Sequence, residues 1–302
     1  MGTPDFAVPS LDILIDNGYA IPAVVTAPDK PRGRGQEVTP TPVKLAALNH
    51  GLTILQPADL KDPVFVSLLA SLQPDLIVVV AFRILPREVF SIPRQGTINL
   101  HASLLPRYRG AAPINWAIIN GETETGVSTF FLEEKVDTGG IITQAALPIL
   151  PDDDAGTVHD KLARLGAETV LDTVRLIESG RAVPAPQDHR LATPAPKIFK
   201  ENCRIRWDLP ARQIRNLVRG LSPLPSAWTL YQEKVVKIFR LSVSNIPAAG
   251  QPGELRLTPT SLMAAAGDFF VAIEELQLEG RKRMRIEEFL RGYHPRTGEV
   301  FE

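Results

Sequence analysis

The sequence predicts an α/β domain followed by a small C-terminal β-barrel domain. Strand and helix patterns alternate through the first 180 residues, which is typical of a mostly parallel sheet with helices on both faces. After a proline-rich stretch, the pattern changes to short strands between turn residues, which favours a barrel. We therefore expect a doubly wound, Rossmann-like sheet first and an OB-like barrel second.

Hydrophobic periodicity defines the elements of the first domain. Residues 75–81 contain the run Leu-Ile-Val-Val-Val, which is typical of a strand buried on both faces. Residues 157–179 carry apolar side chains at helical spacing, and Thr157 is suited to cap this helix. The other predicted strands are 21–27, 97–100, 127–132 and 141–149, and the other predicted helices are 8–16, 63–72 and 113–120.

Four prolines between residues 182 and 196 mark the boundary between the domains. Proline fixes φ and removes a backbone donor, so this stretch is predicted to be an extended linker. We expect a catalytic domain over residues 1–181, a linker over 182–203 and a barrel over 204–302. In the barrel domain the predicted helix is 211–219, and the predicted strands are 228–231, 235–240, 254–258 and 269–276.

The start of the chain departs from the usual order of a doubly wound fold. Such a fold opens with a hydrophobic strand followed by a glycine turn. Here the turn-like Gly2-Thr3-Pro4 follows Met1 directly. Either the true start lies upstream, or the opening strand is absent from this chain. Because that strand is normally central in the sheet, we expect its loss to cost stability.

Composition excludes several classes of protein. Cys203 is the only cysteine, so neither an internal disulfide nor a zinc site of several thiolates can form. No apolar run reaches the roughly 18 residues of a membrane span, and no signal-peptide pattern opens the chain. We therefore expect a cytoplasmic protein that uses no metal and contacts no membrane.

Charge is distributed unevenly along the chain. The net charge of −1 is the sum of −5 over residues 1–202 and +4 over residues 203–302. A basic second domain indicates a surface for a polyanion, although a solvated basic face explains the charge equally well.

Polar residues at strand ends suggest acyl-transfer chemistry. Asn99 and His101 lie two apart on a predicted strand, so their side chains share one face. They stand at its carboxyl end, where ligands bind in such sheets. Asp137 follows the next strand and is a candidate to orient the imidazole. Two fixed donors can stabilise the oxyanion of a tetrahedral intermediate. A hydrogen-bonded loop pair and a simple Asp-Gly turn are the open alternatives.

Basic residues occur in two further places. Arg32 and Arg34 lie in the glycine-containing loop Pro-Arg-Gly-Arg-Gly, and arginine pairs well with phosphate. Lys282 and Arg283 stand in a basic segment of the second domain. Phosphate or RNA contact is one interpretation, and a plain surface loop is the other.

The sequence resembles the methionyl-tRNA formyltransferase family over nearly its whole length. The resemblance lies in the Asn99-Leu-His-Ala-Ser-Leu-Leu-Pro run, the Val-Asp-Thr-Gly motif at Asp137, and the opening Gly-Thr-Pro-Asp-Phe-Ala. It extends to the Gly-Arg-Gly loop and to Arg204-Ile-Arg-Trp-Asp. The Asn-x-His-x-Ser-Leu-Leu-Pro core is shared by folate-dependent formyltransferases generally.

The resemblance implies a reaction and roles for residues. The donor would be 10-formyltetrahydrofolate, and the acceptor would be the α-amine of initiator methionyl-tRNA. Asn99 and His101 would stabilise the oxyanion, while Asp137 would position His101 and help to move the amine proton. Phe6 would lie near the methionyl end, Arg32 and Arg34 near the acceptor stem, and Lys282 and Arg283 elsewhere on the tRNA. The folate would contact Phe82, Arg83, Ile84, Leu85, Ser103, Leu104, Leu105 and Pro106.

Three alternatives stay open at this point. Formyltransferases that act on glycinamide ribonucleotide normally lack the barrel, but the Arg-Ile-Leu segment resembles theirs. Formyltransferases of amino sugar nucleotides resemble this chain across both domains. An RNA-binding protein with a degenerate enzyme domain is the third, and the intact Asn99, His101 and Asp137 argue against it. No feature of the sequence demands a dimer, so we expect a monomer.

Overall fold

A computed structural model describes residues 1–32, 37–258, 260–293 and 295–302. The chain forms two compact units. The first unit contains Met1–Gly110, Thr125–Pro148 and His159–Ala195, and the second contains Ala111–Glu124, Ile149–Val158 and Pro196–Glu302. Residues 182–195 of the predicted linker thus pack with the first unit. The boundaries 1–181, 182–203 and 204–302 stay a prediction.

The first unit is built on short strands and the helices between them. Its central strands are hydrophobic, as their position in a covered sheet requires. The strands are β1 (Val24–Val25), β2 (Lys30–Arg32), β3 (Glu37–Thr39), β4 (Ile54–Leu55), β5 (Ile77–Val80), β6 (Thr97–His101), β7 (Glu124–Phe131) and β8 (Ile141–Pro148). The helices before β6 are α1 (Val8–Asp16), α2 (Pro42–Asn49), α3 (Pro63–Ser71) and α4 (Arg87–Phe90), with a 3₁₀ turn at Asp5–Ala7.

Strand pairing confirms a mostly parallel sheet. β1 pairs with β4 in parallel, and β5 pairs with β6 in parallel, whereas β6 and β7 are antiparallel. The neighbour order β5-β6-β7-β8 places β6 inside the sheet. Ile98 and Leu100 of β6 are buried, so the strand that carries Asn99 and His101 is fixed by packing on its other face.

Met1 and Gly2 occupy the central place of this sheet. The Gly2 amide donates to the Val25 carbonyl at 3.0 Å, and the Val80 amide donates to the Met1 carbonyl at 2.9 Å. Burial lowers the pKa of the Met1 α-amine to about 5. A cavity of about 630 Å³ lies beside these two residues and is lined mostly by apolar side chains, among them those of β1, β5 and α1. Met1 and Gly2 therefore bond to β1 on one side and to β5 on the other, beside this cavity.

Side-chain caps and prolines set where several helices begin. Thr41 and Asp62 accept hydrogen bonds from the first turns of α2 and α3, and a proline opens each helix, where its missing N–H costs nothing.

The long helix α6 spans Ala155–Glu178. Its cap is Asp154, which accepts from the Thr157 amide, while the Thr157 hydroxyl accepts from the Asp154 amide. The prediction that Thr157 itself caps this helix was wrong, because the reciprocal pair makes Asp154 the cap and the helix begins at Ala155.

The second unit consists of a six-stranded antiparallel sheet and helices. The strands are β9 (Ala227–Tyr231), β10 (Lys234–Pro247), β11 (Leu255–Leu257), β12 (Leu262–Ala265), β13 (Phe269–Leu278) and β14 (Met284–Arg285). The helices are α5 (Pro113–Ile119), α7 (Ala211–Leu221) and α8 (Ile286–Gly292), and short 3₁₀ turns cover Lys200–Cys203 here and His189–Leu191 in the first unit. The order β11-β12-β13-β10-β9 leaves β11 and β9 as edges.

The last residues of the chain join the two edges. Glu302 exchanges two backbone hydrogen bonds with Leu230 of β9, at 2.9 and 3.1 Å. On the other side, the Leu255 amide donates to Glu299 and the Phe301 amide donates to Gly253. This segment closes the sheet into a ring, which confirms the predicted small barrel. Closure pairs the open edges that would otherwise attract other strands.

Phe301 anchors this closing segment in the barrel core. Its ring stacks on Trp207 at 5.5 Å between centroids and meets Tyr231 edge-on at 5.7 Å. We expect Phe301→Ala to lower the free energy of unfolding by about 3–5 kcal/mol, the usual cost of emptying a buried phenylalanine site. Urea unfolding followed by tryptophan fluorescence measures this. The matched variant Phe269→Ala, at a 39% exposed position, should lose about 1 kcal/mol or less; equal losses would contradict the anchoring role.

The closing segment should also respond to acid. The Tyr231 hydroxyl, and then the Arg296 amide, hold the pKa of Glu299 below its usual range by donating to its carboxylate. A carboxyl with a lowered folded-state pKa stabilises the fold above its unfolded pKa and loses this contribution as pH falls through the folded value. We expect Glu299→Gln to lower the Tm at pH 7. The difference from the wild type should shrink as the pH falls below the ordinary glutamate pKa of about 4.3, and a difference that stays constant into acid would argue against this linkage.

Candidate active site

His101 ends β6 and is buried, with 6% of its surface exposed. Its Nε2 lies 2.8 Å from the carbonyl oxygen of Tyr108. A carbonyl only accepts, so Nε2 must carry a proton and donate. The second ring nitrogen, Nδ1, lies 3.8 Å from Oδ2 of Asp137. The hydrogen bond to Tyr108 therefore leaves Nδ1 as the nitrogen that can take up or release a proton next to a carboxylate.

Asp137 reaches His101 from a tight turn. Its backbone has φ +55°, a left-handed conformation that aspartate tolerates better than most residues. The Gly110 amide donates to Asp137 Oδ2 at 2.9 Å. The turn needs glycine at residue 139, because a Cβ there would lie 1.8 Å from the Phe131 carbonyl oxygen. The predicted proximity of Asp137 to His101 is thus present in the structure.

Asn99 stands two residues before His101 on the same face of β6. The strand alternation places the two side chains on one side of the sheet. Asn99 is half-buried, and within the described part of the chain its carboxamide has no hydrogen-bond partner. An amide that is partly withdrawn from water and unpaired is suited to receive a ligand oxygen.

Side chains of β7 and β8 form hydrogen bonds with the loop after His101. The Ser128 hydroxyl donates to the Ser103 carbonyl at 2.6 Å and accepts from the Leu105 amide at 3.0 Å. Gln144 donates to the Leu105 carbonyl at 2.9 Å. Ser103 and Leu105 are buried and point inward, whereas Leu104 and Pro106 are half-exposed. Ser128, Gln144, Tyr108 and Gly110 were not singled out from the sequence, which carries no local signal for these contacts.

The segment Phe82–Leu85 follows β5 at the same end of the sheet. Arg83 donates to the carbonyls of Pro57 and Ala58, at 2.7 and 2.9 Å, and lies over the Phe82 ring. Leu85 is buried, and Ile84 is 76% exposed. Arg83 therefore fastens the segment to a neighbouring loop, while Ile84 leaves an apolar side chain free at the surface.

The residues predicted to contact tRNA are found in different settings. Phe6 is buried and meets the His159 ring edge-on at 5.2 Å. Arg32 ends β2 of a short hairpin, and Arg34 lies outside the described residues. Lys282 is exposed. Arg283 forms a bidentate ion pair with Glu275, with its guanidinium 4.3 Å from the Phe239 ring centroid.

The described ranges contain neither a cluster of metal-binding side chains nor a membrane-spanning helix. Within 1–32, 37–258, 260–293 and 295–302, no group of three or more His, Cys, Asp or Glu side chains is placed to hold a metal ion. In the same ranges, every helix is too short or too polar to cross a bilayer.

Comparison with known proteins relates both units to one family. The formyl transferase model matches residues 1–174, and the model of the formyl transferase C-terminal domain matches residues 197–294. The methionyl-tRNA formyltransferase of Syntrophus aciditrophicus is 48% identical over 99% of this chain and 97% of its own length. That of Geobacter sulfurreducens is 47% identical over 99% and 94%.

Solved structures share the fold. A sugar 3N-formyl transferase determined with dTDP and 5-N-formyl-THF superposes with a TM-score of 0.68 at 18% identity, covering 93% of this chain and 97% of that one. A methionyl-tRNA formyltransferase from Clostridium thermocellum superposes with a TM-score of 0.57 at 17% identity, covering 92% and 96%. Since two family models and relatives at nearly half identity span almost all of its length, the chain belongs to the methionyl-tRNA formyltransferase family of formyl transferases.

Proposed function

We propose that the protein transfers a formyl group from 10-formyltetrahydrofolate to the α-amine of initiator methionyl-tRNA. The observation that carries this proposal is the buried His101–Asp137 pair, beside an unpaired Asn99 carboxamide, in a chain nearly half identical to methionyl-tRNA formyltransferases over almost its full length. The product, formyl-methionyl-tRNA, serves translation initiation. We further propose that the enzyme works in the cytoplasm as a monomer.

The proposed chemistry is acyl transfer through a tetrahedral intermediate. The neutral amine attacks the formyl carbon, a C–N bond forms, and the carbonyl oxygen becomes an oxyanion. The Asn99 carboxamide donates to that oxygen. His101 begins with Nδ1 unprotonated and takes up the amine proton there. The imidazolium so formed is the second donor to the oxyanion, and it then passes this proton to N10 of the folate. The C–N10 bond breaks, which releases tetrahydrofolate and formyl-methionyl-tRNA.

Asp137 makes His101 suited to carry this proton. Nε2 is committed to the Tyr108 carbonyl, so a second proton on the ring must sit on Nδ1. There it faces the Asp137 carboxylate, with 3.8 Å between Nδ1 and Oδ2. We assign Asn99 and His101 as catalytic residues in contact with the formyl group, and Asp137 as the carboxylate that orients and stabilises His101.

Apolar exposed side chains on two loops support a site for the flat pterin ring. Ile84 after β5 and Val136 beside Asp137 are 76% and 51% exposed, and burying them under a ring would remove apolar surface from water. The folate site is proposed to include Phe82, Arg83, Ile84, Leu85, Ser103, Leu104, Leu105 and Pro106. Of these, Arg83 and Ser103 have side chains already bonded to the protein, so their contribution is to hold the backbone that lines the site.

The acceptor is proposed to contact both units. Arg32 and Arg34 would meet the phosphates of the acceptor stem, and the buried Phe6 would shape the wall near the methionyl side chain. Lys282 is exposed for phosphate contact. Arg283 is already paired with Glu275, so it would contribute by charge rather than by a new bidentate bond. The proposed barrel domain at 204–302 is the part that presents Lys282 and Arg283.

Removing either proposed oxyanion donor should reduce turnover. We expect Asn99→Ala to lower kcat by about 10²–10³-fold, the usual effect of losing one such donor, and His101→Ala to lower it at least as much. Binding of the folate should be largely kept, because both side chains act on the transition state. Formylation of charged initiator tRNA, with folate binding measured by calorimetry, tests this.

The control for these variants is His50→Ala, since His50 is an exposed histidine that pairs with Asp12 in the same unit. It should keep the wild-type kcat. Unchanged turnover in His101→Ala would exclude the assigned role. Activity on an amino sugar nucleotide, without activity on methionyl-tRNA, would instead exclude the proposed acceptor.

Loss of Arg34 should affect the tRNA and spare the folate. We expect Arg34→Ala to raise the KM for methionyl-tRNA several-fold and to lower the slope of log K against log salt by about one, as expected for one lost phosphate contact. Arg94→Ala, which removes an exposed arginine paired with Asp75, is the matched control. A change confined to the KM for the folate would mean that the loop of Arg34 does not contact the tRNA.

A further inference from the structure

The segment 185–195 runs beside both loops that support the catalytic pair. Ala185 exchanges two backbone hydrogen bonds with Ile141, each 2.8 Å long, just after the Asp137 turn. Further along, the Arg109 amide donates to the Thr193 carbonyl at 2.9 Å, and the Ala195 amide donates to the Arg109 carbonyl at 2.6 Å. This segment is therefore anchored to the Asp137 turn and to the loop of Tyr108 and Gly110.

Gln187 joins these two loops through its side chain. It is buried, with 7% of its surface exposed. Its Nε2 donates to the carbonyls of Asp137 at 3.0 Å and Gly139 at 2.8 Å. Its Oε1 accepts from Nη2 and Nε of Arg109, at 2.6 and 3.2 Å. Carbonyls only accept and a guanidinium only donates, so these partners fix the orientation of the carboxamide.

The clamped backbone is the part of the site that most needs support. Asp137 has a left-handed φ of +55°, and such a conformation persists in a residue with a side chain only where its surroundings hold it. Rotation of this turn would swing the carboxylate away from His101 Nδ1. The carbonyls of Asp137 and Gly139 are the atoms that Gln187 restrains, on either side of Thr138.

We propose that Gln187 is a positioning residue for formyl transfer. It holds the Asp137 turn so that the carboxylate faces His101 Nδ1. Through Arg109 it ties that turn to the loop that supplies the Tyr108 carbonyl to His101 and the Gly110 amide to Asp137. The inference rests on the proposed function, because the geometry it preserves is that of the formyl-transfer site.

The test compares kcat, KM and the pH dependence of kcat in Gln187→Ala and Gln187→Glu. We expect kcat to fall at least tenfold in Gln187→Ala, with the KM values for folate and methionyl-tRNA within twofold of the wild type. Gln187→Glu keeps the shape but cannot donate to two carbonyls, so it should fall further. The apparent pKa of the kcat profile should shift toward that of Asp137→Asn, a change that a merely stabilising residue would not produce.

A double-mutant comparison and a control make the result specific. In the Asp137→Asn background, Gln187→Ala should lower kcat less than twofold further, because its effect passes through that carboxylate. The control Gln56→Ala removes another glutamine that donates to a backbone carbonyl, that of Ala27 at 2.8 Å, and should keep kcat. If Gln187→Ala fails to fold, the near-isosteric Gln187→Glu decides the question by the same readouts.

Two outcomes would overturn the inference. Wild-type kcat and pH profile in both Gln187 variants, or fully additive losses with Asp137→Asn, would exclude positioning while leaving formyl transfer intact. A wild-type protein that formylates no methionyl initiator tRNA would overturn the proposed function and this inference with it.

Discussion

The hydrogen bond from His101 Nε2 to the Tyr108 carbonyl is the constraint on which the proposed active site depends. Because a carbonyl cannot donate, this bond fixes one proton on Nε2 and leaves Nδ1 facing Asp137. Tyr108 and Asp137, the two residues that contact the His101 ring, both lie in loops, and loops have few backbone hydrogen bonds of their own. The neighbouring contacts, from the Gly110 amide to Asp137 and from Ser128 and Gln144 to the loop after His101, serve to keep this one arrangement.

The sheet supplies the rigid side of the site. β6 lies between β5 and β7, and its residues Ile98 and Leu100 are buried on the face opposite Asn99 and His101. Displacing the strand would expose these side chains to water, at a cost of about 1.5–3 kcal/mol for each. The two polar residues are therefore held by apolar packing that has no direct part in chemistry. The loop that carries Asp137 then places this carboxylate beside His101 at the end of β6.

Both sheets are completed by a few residues at the ends of the described chain. Met1 and Gly2 fill the central place between β1 and β5, next to a cavity of about 630 Å³. Residues 299–302 join β9 to β11 in the barrel, where Phe301 packs on Trp207. In each case a short segment satisfies backbone donors and acceptors on two strands at once, so a small part of the chain contributes to stability beyond its length.

The sequence by itself determined the α/β class, the small barrel, helices such as Pro113–Ile119, and the shared face of Asn99 and His101. These features follow from periodicity, which is a local property of the chain. Only the tertiary structure decided that Gln187, 50 residues from Asp137 in sequence, clamps its turn, and that Arg283 is occupied by Glu275. Nothing local marks a glutamine in a proline-rich stretch as a partner of a distant carbonyl. Such contacts exist because folding brings loops together that hydrophobic patterning leaves unspecified.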